Sequence, residues 1–138
     1  MLALFLLTTL SLAQEAGSNT KYTIQVQLEL VAPYTVDIDL ATNLPDNALV
    51  SVRIELKGQE PKDIFIGTEF EKVEINDGSG HVVIDGNLAS YPMGEDLPPG
   101  IYEVVATFYP RWRENRKIAS EIGVVEDIRE FIDIKLQD

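Results

Sequence analysis

His81 is the single histidine of the sequence, with Ser79 and Asp77 two and four residues before it. Nucleophile, base and orienting acid are the types that acyl transfer needs. The spacing defeats that reading, because residues two apart on a turn running into a strand do not by themselves align the three groups. The chain also has no Gly-x-Ser-x-Gly elbow and no glycine-rich phosphate loop. Zinc enzymes use two or three imidazole or thiolate ligands, and here there is one histidine and no cysteine, so no metal site is expected. Asp37 and Asp39 share one face of a strand, but a catalytic carboxylate needs burial or a close partner to shift its pKa. The sequence shows neither, and the runs Glu69/Glu71/Glu74 and Glu126/Asp127/Glu130/Asp133 read likewise as solvated faces. Asp77-Gly-Ser-Gly resembles the start of a calcium loop, yet positions six and twelve are Val82 and Leu88, where Gly and Glu are required. A cation site assembled from Asp46, Glu95 and Asp96 would have to form across loops. No catalytic residue, no cofactor and no enzyme activity are expected.

One segment departs from the rest. Phe108-Tyr-Pro-Arg-Trp-Arg-Glu-Asn-Arg-Lys117 holds four of the eleven basic groups and one acid, a local charge of +3 that leaves −15 for the remainder of a chain with net charge −12. The sole tryptophan, Trp112, lies between Arg111 and Arg113. Tryptophan and arginine are the residues most enriched in binding hot spots. The candidate binding residues are therefore Tyr109, Arg111, Trp112, Arg113, Arg116 and Lys117. Either this segment folds onto the protein's own carboxylates, with Trp112 covering the end of the domain, or it meets a protein or anionic polymer.

The elements that must position these residues have a period of two. Tyr22, Ile24, Val26, Leu28 and Leu30 alternate with polar residues, as do Tyr34, Val36, Ile38 and Leu40, and then Val50, Val52, Ile54 and Leu56. Such runs predict strands with one apolar and one wet face, as in antiparallel sheets. Further strands are expected at 63–66, 69–75, 80–84, 101–109 and 128–136, and only 113–122 could form a short helical turn. Asn43–Asn47 separates the second and third runs, Asn76-Asp-Gly-Ser-Gly80 reads as a hairpin turn, and Tyr91–Gly100 is a long connection with three prolines. Seven to eight short strands punctuated this way predict an all-β fold, a single antiparallel β-sandwich. The basic segment would then be a loop at one end of the sandwich, between the last two strands.

Two motifs carry a resemblance. Leu97-Pro-Pro-Gly-Ile-Tyr102 resembles the corner before the penultimate strand of immunoglobulin-like and fibronectin-III-like domains, where a tyrosine bonds back to the chain. The resemblance implies that Tyr102 points inward with Val104, Ala106 and Phe108. The cysteine pair and core tryptophan of antibody domains are absent. Thr42-Asn-Leu-Pro-Asp46 resembles a motif of uncharacterised secreted bacterial β-sandwich domains, with Asn47 where that pattern has Gly. Both residues tolerate positive φ. The motifs imply a fold and no activity.

Residues 1–13 are uncharged and mostly apolar, shorter than the roughly 20 residues of a membrane-spanning helix. They are read as a signal peptide ending at Ala13, with a second cleavage option at Ala16, although no Lys or Arg precedes the apolar run. The domain then occupies 20–138, without a membrane span, and is secreted or periplasmic. Its acidity argues against nucleic-acid binding, which needs a basic surface. The reading is an exported, non-catalytic binding or assembly module using 109–117. The alternative is a protease or other enzyme inhibitor presenting the proline-rich connection 91–100. The first strand, Tyr22–Val31, could also pair two copies as a homodimer if it is an edge.

Overall fold

Alternation assigns each strand residue to core or solvent, and the computed structural model, which describes residues 20–86 and 97–136, follows it closely. Seven strands occur among the described residues: β1 (Ile24–Ala32), β2 (Thr35–Thr42), β3 (Leu49–Leu56), β4 (Glu71–Glu74), β5 (Ser79–Asp85), β6 (Gly100–Phe108) and β7 (Ile128–Leu136). A 3-10 turn (Arg113–Asn115) runs into one helix, α1 (Arg116–Ile122), between β6 and β7. The strands form two antiparallel sheets, one in the order β1-β2-β5 and the other β4-β3-β6-β7. The fold is an all-β sandwich. Its core is what the alternation leaves inside: Ile24 and Val26, then Val36, Ile38 and Leu40, then Val50, Val52 and Ile54, with Tyr102, Val104, Ala106 and Phe108 from β6. The opposite side of β6 is covered as well, since Val105 and Thr107 are buried and Arg129 donates to Thr107 Oγ1.

The Tyr102 hydroxyl donates to the carbonyl of Pro98 across the corner that introduces β6. The ring is fully buried, and burial pushes the phenol above the ordinary tyrosine value. Tyr102→Phe keeps the ring and leaves the Pro98 carbonyl without this donor. It is expected to cost about 1 kcal/mol, read as a lower urea midpoint at unchanged slope. An unchanged midpoint would show that the hydroxyl contributes nothing.

The Thr42–Asn47 segment works as a clasp. The Asn43 amide accepts from Thr23 N and donates to Lys21 O, and Thr42 Oγ1 donates to Thr23 O, so the start of the chain's first strand is tied down from both sides. Leu44 is buried, Asn47 adopts φ 76°, and Asp46 Oδ1 accepts from Asp77 N at 2.8 Å. Asp77 (φ 54°) and Gly78 (φ 75°) form the expected tight turn, closed by paired bonds between Asn76 and Ser79. It does not close a two-stranded ladder, however. β4 pairs with β3 and β5 pairs with β2, so the turn passes the chain from one sheet to the other.

The strand expected at 63–66 needs correction. No strand forms at 63–66; this stretch is turn and irregular chain touching β3 through a single bridge, Glu55 with Gly67. Ile66 O accepts from Leu56 N of β3 at 3.0 Å, but the Gln59 side chain takes the rest of the residue's backbone bonding, donating to Ile66 O at 3.0 Å and accepting from Ile66 N at 2.7 Å. Ile64 meanwhile points to solvent at 81% exposure, and Ile66 is the one residue of the run that packs, half-buried, against the core. The short helical turn expected at 113–122 does form, so the basic segment 109–117 is only in its first half a loop. Its second half is the 3-10 turn and the start of α1. The helix ends where Gly123 takes the left-handed conformation, with its N–H on Ala119 O.

Candidate functional site

Asn115 fixes the basic segment to the sandwich. It is fully buried; its amide nitrogen donates to Leu49 O at 2.9 Å and Tyr109 O at 3.1 Å, and its oxygen accepts from Leu49 N at 2.9 Å. One side chain thus joins the first residue of β3, the residue after β6 and the 3-10 turn. Ala119 on α1 is buried next, so Arg113, Arg116 and Lys117 are turned outward on a short, anchored piece of helix.

Trp112 is half-buried. Its ring lies 5.1 Å from that of Tyr109 and 5.6 Å from that of Phe70, both tilted, and the Lys72 ammonium sits 5.0 Å from its centroid. Arg129 approaches the Tyr109 ring at 6.0 Å. Tyr109, Arg111 and Trp112 form one wall of an open concavity whose other wall is Val125, Glu126 and Asp127. The structure therefore groups Tyr109, Arg111 and Trp112, sets Arg113, Arg116 and Lys117 beside them, and adds Phe70 from just before β4, Lys72 of β4 and Arg129 of β7. Those three were not legible as site residues, since Phe70 and Lys72 lie in an acidic run and meet Trp112 only because β4 pairs with β3.

The charges are arranged unequally. The segment's one acid, Glu114, is paired with Lys72 at 2.6 Å. Arg111, Arg113, Arg116 and Lys117 are exposed and make no ion pair among the described residues; the Arg116 guanidinium reaches only the Arg111 carbonyl, at 3.4 Å. The hydrogen bond from Lys72 holds the Glu114 carboxyl below the usual range, helped by a backbone hydrogen bond and the charges of Lys72 and Arg113. A depressed carboxylate stabilises the fold above its unfolded pKa and loses that contribution as pH falls through the folded one. In Lys72→Met, the Glu114 midpoint followed by carboxyl NMR is expected to rise toward the ordinary glutamate value. An unmoved midpoint would show that Lys72 is not the cause.

The other sequence candidates fall elsewhere. Ser79, His81 and Asp77 do not assemble: Ser79 Oγ bonds Asn76 O, and His81 Nε2 contacts Asp37 Oδ1 from the neighbouring strand. That contact supplies the close partner that sequence did not reveal for Asp37. Asp46 bonds the turn at Asp77, while Glu95 and Asp96 lie outside the described residues, as do the apolar stretch 1–13 and most of the 91–100 connection. No helix among the described residues is long and apolar enough to cross a membrane. Among the described residues β1 is an edge strand, bonded only to β2, with Leu30 and Val31 exposed near its end. No protein-family model, no curated protein and no solved structure matches the chain.

Proposed function

We propose that the protein is an exported, non-catalytic binding module of immunoglobulin-like or fibronectin-III-like kind, which takes an acidic protein or anionic polymer on the surface formed by Tyr109, Arg111, Trp112, Arg113, Arg116 and Lys117. The fold-family likeness is supported by Tyr102 bonding back to Pro98 and by the division of strands into three and four. In the constant-type immunoglobulin arrangement the fourth strand joins the first sheet; here β4 joins the β3 edge instead.

One observation carries the reading: in a chain of net charge −12, four cations lie within five residues of the only tryptophan and none makes an ion pair among the described residues. Trp112 offers one apolar surface to the concavity while Lys72, Tyr109 and Phe70 hold the ring in place. A ring with its rotamer already fixed loses little entropy on binding. The probes are heparin, for a sulfated polymer, and poly-L-glutamate, for an acidic peptide. Retention that falls with rising salt and is lost in Arg113→Glu/Arg116→Glu supports the module. Equal weak retention of parent and variant removes it.

A further inference from the structure

The outer face of the three-stranded sheet gathers a second set of side chains, on the sheet that does not carry the basic segment. In register, Gln27 of β1, Asp39 of β2 and His81 of β5 form one row across the sheet, and Glu29, Asp37 and Val83 form the next. Because successive side chains alternate between faces, Asp37 and Asp39 emerge on the same side as His81. Nitrogen or oxygen atoms from Asp37, Asp39 and His81 all lie within 4.8 Å of one another. Ser79, Gln25 and Gln27 edge a shallow depression beside Asp39 and His81.

We propose that Asp37, Asp39 and His81 form a binding site for a divalent first-row transition ion of the zinc type. The donor set argues for that class. Imidazole nitrogen with two carboxylate oxygens suits zinc and its neighbours, whereas calcium takes six to eight oxygens and gains little from an imidazole. Geometry agrees: ligand atoms at about 2.0–2.2 Å from a tetrahedral zinc are roughly 3.3–3.6 Å apart, so side-chain rotation closes the set with no movement of backbone. The backbone is well fixed, since β2 is the central strand and its ladder to β5 runs without interruption from Thr35–Asp85 to Ala41–Ser79.

Charge supplies an independent argument. Glu29 stands directly opposite Asp37, a like-charge pair that destabilises a sheet. Asp39 shares the face, and its outward strand positions on β1, β2 and β5 carry no Lys or Arg. A dication at Asp37 and Asp39 offsets this repulsion and replaces the direct contact of His81 Nε2 with Asp37. Three protein ligands on an exposed face leave further coordination positions to water or to an oxygen of Gln27 or Ser79. The sequence obscured the site because 44 residues separate Asp37 from His81 and neither is distinctive alone.

The test is calorimetric titration of the tag-free protein with zinc chloride, beside His81→Ala and Asp37→Asn/Asp39→Asn. All three positions are on the outer face of the sheet, so the variants are expected to fold, as circular dichroism checks. The expected result is one-to-one binding, weakened more than about tenfold in each variant, with His81 imidazole NMR signals moving at substoichiometric zinc. No saturable binding overturns the proposal. So does zinc binding of parental strength in His81→Ala, or displacement of zinc by an equal concentration of calcium, because either result leaves only a diffuse acidic patch.

Discussion

Asn115→Ala is expected to lower stability by about 2–4 kcal/mol and to release the basic segment from the sandwich. The side chain makes three hydrogen bonds, all to backbone, and leaves no polar atom over, in keeping with the absence of unsatisfied buried side-chain N or O atoms among the described residues. Alanine abandons Leu49 N, Leu49 O and Tyr109 O together. Each stranded group costs about 1–3 kcal/mol when water cannot reach it, and less here because the segment can loosen and admit water. Against a typical total of about 5–15 kcal/mol, the loss is large. With a slope of about 1–3 kcal/mol/M, the urea midpoint should fall by roughly 1–2 M. Asn115→Asp is the sharper variant. It keeps an acceptor for Leu49 N but turns a carboxylate oxygen toward the carbonyls of Leu49 and Tyr109. It should be at least as unstable as alanine at neutral pH and recover partly in acid, when the protonated carboxyl regains one donor. A midpoint unchanged in both variants would mean that Asn115 does not anchor the turn.

The second large effect concerns binding. Reversing Arg113 and Arg116 to glutamate should reduce affinity for a polyanion by about 30- to 150-fold. An exposed ion pair contributes roughly 0.5–1 kcal/mol; each reversal removes an attraction and adds a repulsion, so two together come to about 2–3 kcal/mol. Neither guanidinium makes an ion pair among the described residues, so the urea midpoint should move little. Trp112→Ala separates the apolar from the charged contribution. It removes an aromatic anchor, worth about 2 kcal/mol or more at a hot spot, yet leaves the four cations in place. Its binding should therefore weaken while keeping the parent's salt dependence, whereas the charge-reversed protein should lose that dependence. Trp112 also packs on Phe70 and Tyr109, so the alanine variant needs its own unfolding curve. If Trp112→Ala binds as the parent does, the ring serves only to cover the end of the sandwich.

The sequence by itself determined whatever depends on a residue and its near neighbours. Period-two alternation located β1, β2, β3, β5, β6 and β7 and named the inward residues of β2, β3 and of β1 as far as Leu28, because burial on one face of a strand is written directly into every second side chain. The Asp77-Gly78 turn and the positive φ of Asn47 were legible for the same local reason. The stretch at 63–66 misled because four residues of mixed character do not report how far pairing with a neighbour extends: β3 bonds it only at Ile66 O, and Gln59 takes the Ile66 N–H. Only the tertiary structure decided which strands are neighbours, and hence which side chains meet. β4 pairs with β3, which sets Phe70 and Lys72 against Trp112; β5 pairs with β2, which sets His81 against Asp37; and Asn115 reaches Leu49 across 66 residues. Strand pairing is a choice among non-local arrangements that bury nearly the same apolar faces. A hydrophobic pattern says which face turns inward, but it is the same for every possible partner.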